Sequence, residues 1–194
     1  MKMQDVNIVI VGVGGQGTLL TSKLLAQLAM EENLNVKVSE VHGMSQRGGS
    51  VITHVRIGEQ VHAPLVASAS ADYLLAFEPL EAARAISYLK NDGTLIVNTQ
   101  QISPITVLSG AVSYPENPHG NAVNGTQSIE AMDAFSAAVA AGSYRSVNLV
   151  LLGMLSRHLP FTGEDWSHAI AACVPPKTLE INRKAFAAGR DYTV

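Results

Sequence analysis

Apolar residues in this chain fall into short unbroken runs, and between the runs they recur at spacings of three and four. Residues 7–11 (NIVIV) form an apolar run suited to a central parallel strand covered on both faces. Residues 18–30 place Leu20, Leu24 and Leu28 on one helical stripe. Residues 36–41 read as a second strand. Residues 51–57 alternate, with Val51, Thr53, Val55 and Ile57 on one side and Ile52, His54 and Arg56 on the other, the pattern of a half-exposed strand. Gly58-Glu59 predicts a turn into residues 60–66, which gives a hairpin. Residues 72–77 (DYLLAF) read as another buried strand, and Pro79 opens a helix carrying Ala82, Ala85, Ile86 and Leu89. Asn91-Asp92-Gly93 ends that helix, and residues 94–98 (TLIVN) return to the sheet.

Strands alternating with helices at this spacing predict an α/β, Rossmann-like fold: a mostly parallel sheet with helices on both faces. Beyond Thr99 the texture changes. Residues 110–126, rich in Gly, Pro and Asn, read as an irregular excursion. Helices follow at 128–141, at 147–158 (apolar nearly all round, so deeply buried), after the capping pair Thr162 and Asp165, and at 177–188, where Gly189 ends the chain's last helix. The expectation is a single domain over residues 1–194 with a helical C-terminal third.

Composition narrows the function classes. The chain is 47% hydrophobic and 15% charged, apolar enough to leave surface for a partner. A net charge of −3 argues against nucleic-acid binding, which needs a basic face. Cys173 is the only cysteine, so the chain cannot itself supply the four thiolates of an iron–sulfur cluster. No apolar run reaches the roughly 18 residues of a membrane span. Asp5 and the glycines around the first apolar run argue against a secretory signal, so the expected location is cytoplasmic.

Two glycine-rich segments carry the candidate chemistry. Gly12-Val13-Gly14-Gly15-Gln16-Gly17 lies between a strand and a helix, and fits G-x-G-x-x-G. Gly12, Gly14, Gly15 and Gly17 would bring backbone N–H groups of a helix N-terminus close to an anion. Glu40 could then be the acid that binds a ribose, which gives one reading as a stand-alone NAD(P)- or flavin-binding oxidoreductase. The bland reading is a tight turn alone. The second segment, His42-Gly43-Met44-Ser45-Gln46-Arg47-Gly48-Gly49, is an odd neighbour for an adenosine pocket. Its glycines permit close approach to another surface, and Arg47 can grip a carboxylate or phosphate with two hydrogen bonds.

The residues SEVHGMSQRGGSV after VGVGGQG closely resemble the gamma-type subunits of 2-oxoacid:ferredoxin oxidoreductases, best the beta subunits of indolepyruvate ferredoxin oxidoreductases. The resemblance continues in order through LLAFEPLEAAR (74–84), GTLIVNT (93–99), NLVLLGML (148–155) and LEINRKAFAAG (179–189). It implies a complex that oxidatively decarboxylates aryl 2-oxoacids to acyl-CoA with ferredoxin as acceptor. It further implies that a larger alpha subunit brings thiamine diphosphate, Mg2+, iron–sulfur clusters and coenzyme A, while this chain binds none of them and is inactive alone. On that reading His42, Gly43, Met44, Gln46, Arg47, Gly48 and Gly49 form a subunit interface in a hetero-oligomer, with no catalytic residue and no metal ligand on this chain.

Other polar residues weigh less. His54 and His62 could face each other across the expected hairpin, but without a third ligand they read as surface histidines. His119 lies in the irregular excursion, and His158 and His168 sit on expected helices with no acidic or cysteine companion. Cys173 reads as a buried, inert thiol. Glu78, at the end of an apolar strand, is either a site residue or a cap for the Pro79 helix.

Overall fold

A computed structural model describes residues 5–43, 49–123 and 127–193. Six strands, β1 (Val6–Val13), β2 (Asn35–His42), β3 (Ser50–Gly58), β4 (Ala71–Ala76), β5 (Leu89–Asn98) and β6 (Ser128–Met132), form one sheet in the order β2-β3-β1-β4-β5-β6. β1, β4, β5 and β6 run parallel. β3 is antiparallel to both of its neighbours, β1 and β2. The sheet is therefore mostly parallel, as the alternation of elements predicts, with one reversed strand inserted beside the centre.

The helices are α1 (Thr18–Glu31), α2 (Pro79–Ala85), α3 (Ile105–Leu108), α4 (Pro118–Ala122), α5 (Ala134–Ala141), α6 (Val147–Ser156), α7 (Gly163–Cys173) and α8 (Leu179–Arg190). They cover both faces unequally. Ile8, Ile10, Val55, Ile57, Leu75 and Ile96 point into a thick layer built from α1 and α5–α8. Val9, Val11, Leu74, Leu95 and Val97 point the other way, against α2 and Val66. β1 has no solvent side, which is why its run is unbroken. α6 is buried along its whole length, in accord with its all-round apolar sequence.

Four expectations are corrected. Residues 60–66 form no strand, because β3 already uses both edges to pair with β1 and β2. The hairpin is instead β2–β3, the two strands that flank the His42 to Gly49 segment. The Pro79 helix stops at Ala85, and Asn91-Asp92-Gly93 lies inside β5, where the pairing register shifts. Residues 128–132 are not helical but pair with the open edge of β5, and Asp133 then caps α5 by accepting the Ser136 N–H at 2.9 Å. Edge pairing overrides the helix preference of Glu130, Ala131 and Met132. Gly189 does not end α8. It lies within that helix, where an added Cβ would sit 1.8 Å from the Val150 carbonyl oxygen, so it is a close-packing residue between α6 and α8.

Candidate functional site

β1, β2, β4, β5 and β6 all end, and β3 begins, at the same carboxyl end of the sheet. The reversed hairpin therefore brings together the two glycine segments that the sequence separates by some 25 residues. The Gly14 N–H donates to the Gly49 carbonyl at 2.9 Å, and the Gly43 N–H to the Ser50 carbonyl at 3.4 Å. His42, Gly43 and Gly49 are thus placed beside the turn after β1. Met44, Ser45, Gln46, Arg47 and Gly48 lie outside the described residues.

The first turn is braced from within. Gln16 accepts the Val13 N–H at 2.7 Å through Oε1 and donates Nε2 to the Phe77 carbonyl at 3.1 Å. A Cβ on Gly12 would lie 2.8 Å from that Oε1 and 2.9 Å from Phe77 Cβ, so glycine is required by close approach. Gly17 has φ +91°, and its Cβ would lie 3.2 Å from Asn148. It is also the N-cap of α1, which has no side-chain cap and no acidic residue in its first turn. The first N–H groups of α1 are therefore available to an anion.

Two clefts flank this turn. One, of about 460 Å³, lies between Gly15–Gly17, Gln100, Phe135, Tyr144, Arg145 and Asn148. Asn148 opens α6 and is 2% exposed. Its Oδ1 has no hydrogen-bond partner among the described residues. A carbonyl acceptor kept unpaired costs about 1–3 kcal/mol, so this atom, on the wall of the cleft, can accept from a donor that enters it. Arg145 lies over the Tyr144 ring, 5.7 Å from its centroid. The other cleft, of about 450 Å³, is lined by Gly14, Thr18, Leu19, Glu40, His42 and Val51.

Glu40 does not stand where a dinucleotide-binding acid would. In the usual fold the acid ends the strand next to β1, about 4.8 Å away. Here β3 intervenes, and the Thr53 hydroxyl donates to Glu40 at 3.2 Å.

Glu78 resolves as a cap. It is 1% exposed, its Oε2 accepts the Leu80 and Glu81 N–H groups at 2.7 and 3.0 Å, and its Oε1 accepts Ile102 N–H at 3.2 Å and the Tyr114 hydroxyl. Burial and the Glu78 carboxylate push the Tyr114 hydroxyl well above the usual phenol range. Asn98 donates to the Phe77 carbonyl at 3.2 Å and accepts the Ala134 N–H at 3.1 Å. Glu78, Asn98 and Gln16 thus hold the carboxyl end rigid.

The histidines separate. His54 is buried in β3, accepts the Val66 N–H at 3.3 Å and packs edge-on against Tyr88, and burial lowers its pKa. His62 is exposed, so the two do not pair. His158, which lacks a companion in the sequence, has one in space: its Nε2 is 2.8 Å from Glu130 Oε1, and Arg157 pairs with the same carboxylate. Asn148 and this acid–base contact escaped sequence reasoning. A polar residue within the otherwise apolar NLVLLGML run was the available signal for the first; the second joins residues 28 apart. Cys173 is half-buried and burial raises its pKa. Among the described residues, no group of three His, Cys, Asp or Glu side chains could hold a metal ion. No described helix is long and apolar enough to cross a membrane.

Comparison with known proteins fits this geometry. The family model described as pyruvate ferredoxin/flavodoxin oxidoreductase matches residues 7–192. The indolepyruvate oxidoreductase subunit IorB of Thermococcus kodakarensis is 42% identical over 198 residues, covering 96% of this chain and 95% of that protein. A pyruvate oxidoreductase subunit, PORC, of Thermotoga maritima shares the fold with a TM-score of 0.74 at 21% identity, over 96% of each chain. A 2-oxoglutarate:ferredoxin oxidoreductase of Magnetococcus marinus, solved with 2-oxoglutarate, coenzyme A and succinyl-CoA bound, matches 99% of this chain with 32% of its own, at 18% identity and a TM-score of 0.75. This chain belongs to the pyruvate ferredoxin/flavodoxin oxidoreductase family, among the IorB-type subunits of indolepyruvate oxidoreductase.

Proposed function

We propose that this chain is the subunit of an indolepyruvate-type ferredoxin oxidoreductase that carries neither thiamine diphosphate nor a cluster. The end-to-end match to IorB is the observation that carries the reading. In the reaction, an aryl 2-oxoacid loses its carboxylate as CO2. Its carbonyl carbon becomes bonded to the sulfur of coenzyme A, and two electrons leave one at a time to ferredoxin. Thiamine diphosphate with Mg2+ and iron–sulfur clusters would reside on a larger alpha subunit. One cysteine here leaves no cluster ligand set on this chain. This chain's part is to present the carboxyl end of its sheet, with the His42 to Gly49 loop, against that subunit.

The unpaired Asn148 Oδ1 favours a second reading for the turn itself: an occupied site and not only a brace. Coenzyme A offers phosphates for the first turn of α1 and Arg145, and an amino group and amides that could donate to Asn148. The alternative of a free-standing dehydrogenase is disfavoured by the strand that separates Glu40 from β1.

The test is reconstitution. Co-expressed with the larger subunit, the chain should support ferredoxin reduction by indolepyruvate plus coenzyme A, and the isolated chain should support none. Arg47→Ala should weaken assembly by about 2–5 kcal/mol if its partner is left buried and unpaired. Oxidation by the isolated chain with NAD(P) would overturn the reading. Titration of the isolated chain with coenzyme A tests the second reading, and no heat at millimolar ligand would defeat it.

A further inference from the structure

We propose that the larger subunit docks on an apolar ridge formed by α3 and the residues after it, inserting an apolar element into the groove beneath. This rests on the subunit reading above and names a surface distinct from the His42 to Gly49 loop. Ile105 and Leu108, three residues apart on α3, are 76% and 71% exposed. Val112, 56% exposed, follows just before Tyr114, which is tied to Glu78 at the carboxyl end. Leaving three such side chains together in water is unfavourable for a chain that acts alone.

The groove has a volume of about 350 Å³, with Val13, Leu80, Ile102 and Pro104 among its walls beside Ile105 and Leu108. Ser50, Glu81 and Arg84 also line it. The Ser50 hydroxyl donates to Glu81 at 2.5 Å, and Arg84 pairs with the other oxygen of that carboxylate, which is 4% exposed as a residue. The polar part of the groove is thus already satisfied, so an incoming apolar side chain need not leave a buried charge unpaired. Ser50, which lines the groove, directly follows Gly49.

Two observations choose the occupant. Of the other exposed apolar side chains, Leu19, Val41 and Tyr144 also lie at this carboxyl end, and Met30, Val38, Leu65 and Val139 are exposed outside the ridge. In the Magnetococcus enzyme this fold is 32% of one longer polypeptide, so there the neighbouring domains are held by the chain itself. The match takes up 95% of the Thermococcus IorB subunit, and on the subunit reading above the same neighbours are held by buried apolar surface. A second copy of this chain, with its single cysteine, would bring no cluster ligand set to the complex.

The experiment compares the double variant Ile105→Asp/Leu108→Asp with Met30→Asp, each co-expressed with the larger subunit. Affinity is read by pull-down titration, thermal midpoint on the isolated chain, and self-association by sedimentation. The ridge variant should keep its thermal midpoint and lose on the order of 100-fold in affinity for the larger subunit, the loss expected when central apolar anchors are charged. Met30→Asp should bind as the wild type does. Wild-type affinity in the ridge variant overturns the proposal. So does a concentration-dependent dimer of the isolated wild-type chain that the ridge variant abolishes, because the ridge would then serve a second copy. If Ile105→Asp/Leu108→Asp fails to fold, Ile105→Ala/Leu108→Ala gives the same reading at roughly 10-fold. A wild-type chain that binds no larger subunit removes the subunit reading itself, and the docking face with it.

Discussion

At the amino end of the sheet, the starts of β1, β4 and β5 and the end of β3 are strapped together by polar side chains. Asp72 accepts the Asn7 N–H at 2.8 Å and pairs with Lys90 at 2.5 Å. Arg56 donates to Asn7 Oδ1 at 2.8 Å and to the Ala63 carbonyl at 3.0 Å, and Asn7 Nδ2 donates to Ser70 at 3.1 Å. The carboxyl end contains the same kinds of residue, and Gln16, Glu78 and Asn98 are equally well paired there. Around them, however, lie two clefts, an uncapped helix start, an unpartnered buried amide oxygen and a cluster of exposed apolar side chains. One end is tied together by its own side chains, and the other presents acceptors, helix N–H groups and apolar surface to whatever meets it. Variants at the amino end should therefore cost stability and spare turnover, and variants at the carboxyl end should do more to turnover.

Gly17→Val should have the largest effect and would test that contrast hardest. A β-branched residue at φ +91° pays about 1–2 kcal/mol in backbone strain. Its Cβ also presses on Asn148 at 3.2 Å. The expected sum is a stability loss of about 2–4 kcal/mol by urea melt. Turnover should be lost in the fraction that still folds, because the new side chain fills the space between the clefts. Full turnover per folded complex would show that the clefts hold nothing.

Asp72→Ala is the matched variant at the closed end. It leaves the Asn7 N–H and the Lys90 ammonium without their carboxylate, for a loss of about 1–3 kcal/mol. Assembly and turnover of the folded protein should be unchanged. A drop in turnover at unchanged assembly would mean that the amino end is coupled to the site, and the division between the ends would fail.

The two ends were unequally legible in the sequence. The parallel core was readable because NIVIV, DYLLAF and TLIVN are buried on both faces, and that burial writes itself as unbroken apolar runs. The place of β3 was not readable. Its alternating residues say that it is a strand but carry no information on which edge it joins. Placing it between β2 and β1 cancelled the expected hairpin with residues 60–66 and put His42, Gly43 and Gly49 beside the turn after β1. Each glycine segment was visible as a motif; that they meet was not. Asn148 is hidden in an apolar run, because one amide in NLVLLGML gives no sign of whether its oxygen finds a donor.

Asn148→Ala should separate binding from stability more gently. Removing an unpaired buried acceptor should leave the melting midpoint unchanged or higher, whereas a residue that only held the fold would lower it. If the oxygen receives a donor from coenzyme A, the KM for coenzyme A should rise roughly 10-fold, about the 1.4 kcal/mol of one hydrogen bond. A lower midpoint with an unchanged KM would reassign Asn148 to packing against Gly17.

The smallest effect should come from a site that belongs to neither end. His54 lies mid-strand in β3, 5% exposed, and accepts the Val66 N–H at 3.3 Å in its neutral form. Burial lowers its pKa in the folded chain, while in the unfolded chain it titrates near the ordinary histidine value of about 6.5. Below that value the unfolded state takes up the proton first. The contribution of His54 is therefore fully present above about pH 6.5 and is lost as the pH falls toward the lowered folded-state pKa. His119, also lowered by burial, adds a slope of the same sign. Asp133, whose carboxyl is held below its usual range by the Ser136 hydroxyl and N–H, stays out of this window. Urea midpoints taken between pH 7.5 and 5.5 should fall for the wild type and fall less for His54→Gln, which keeps an acceptor for Val66 but no titrating group. Parallel slopes would show that protons reach His54 in the folded chain as readily as in the unfolded one. The α2 face of the sheet would then be as open as the carboxyl end, and the contrast between closed and open regions would have to be redrawn.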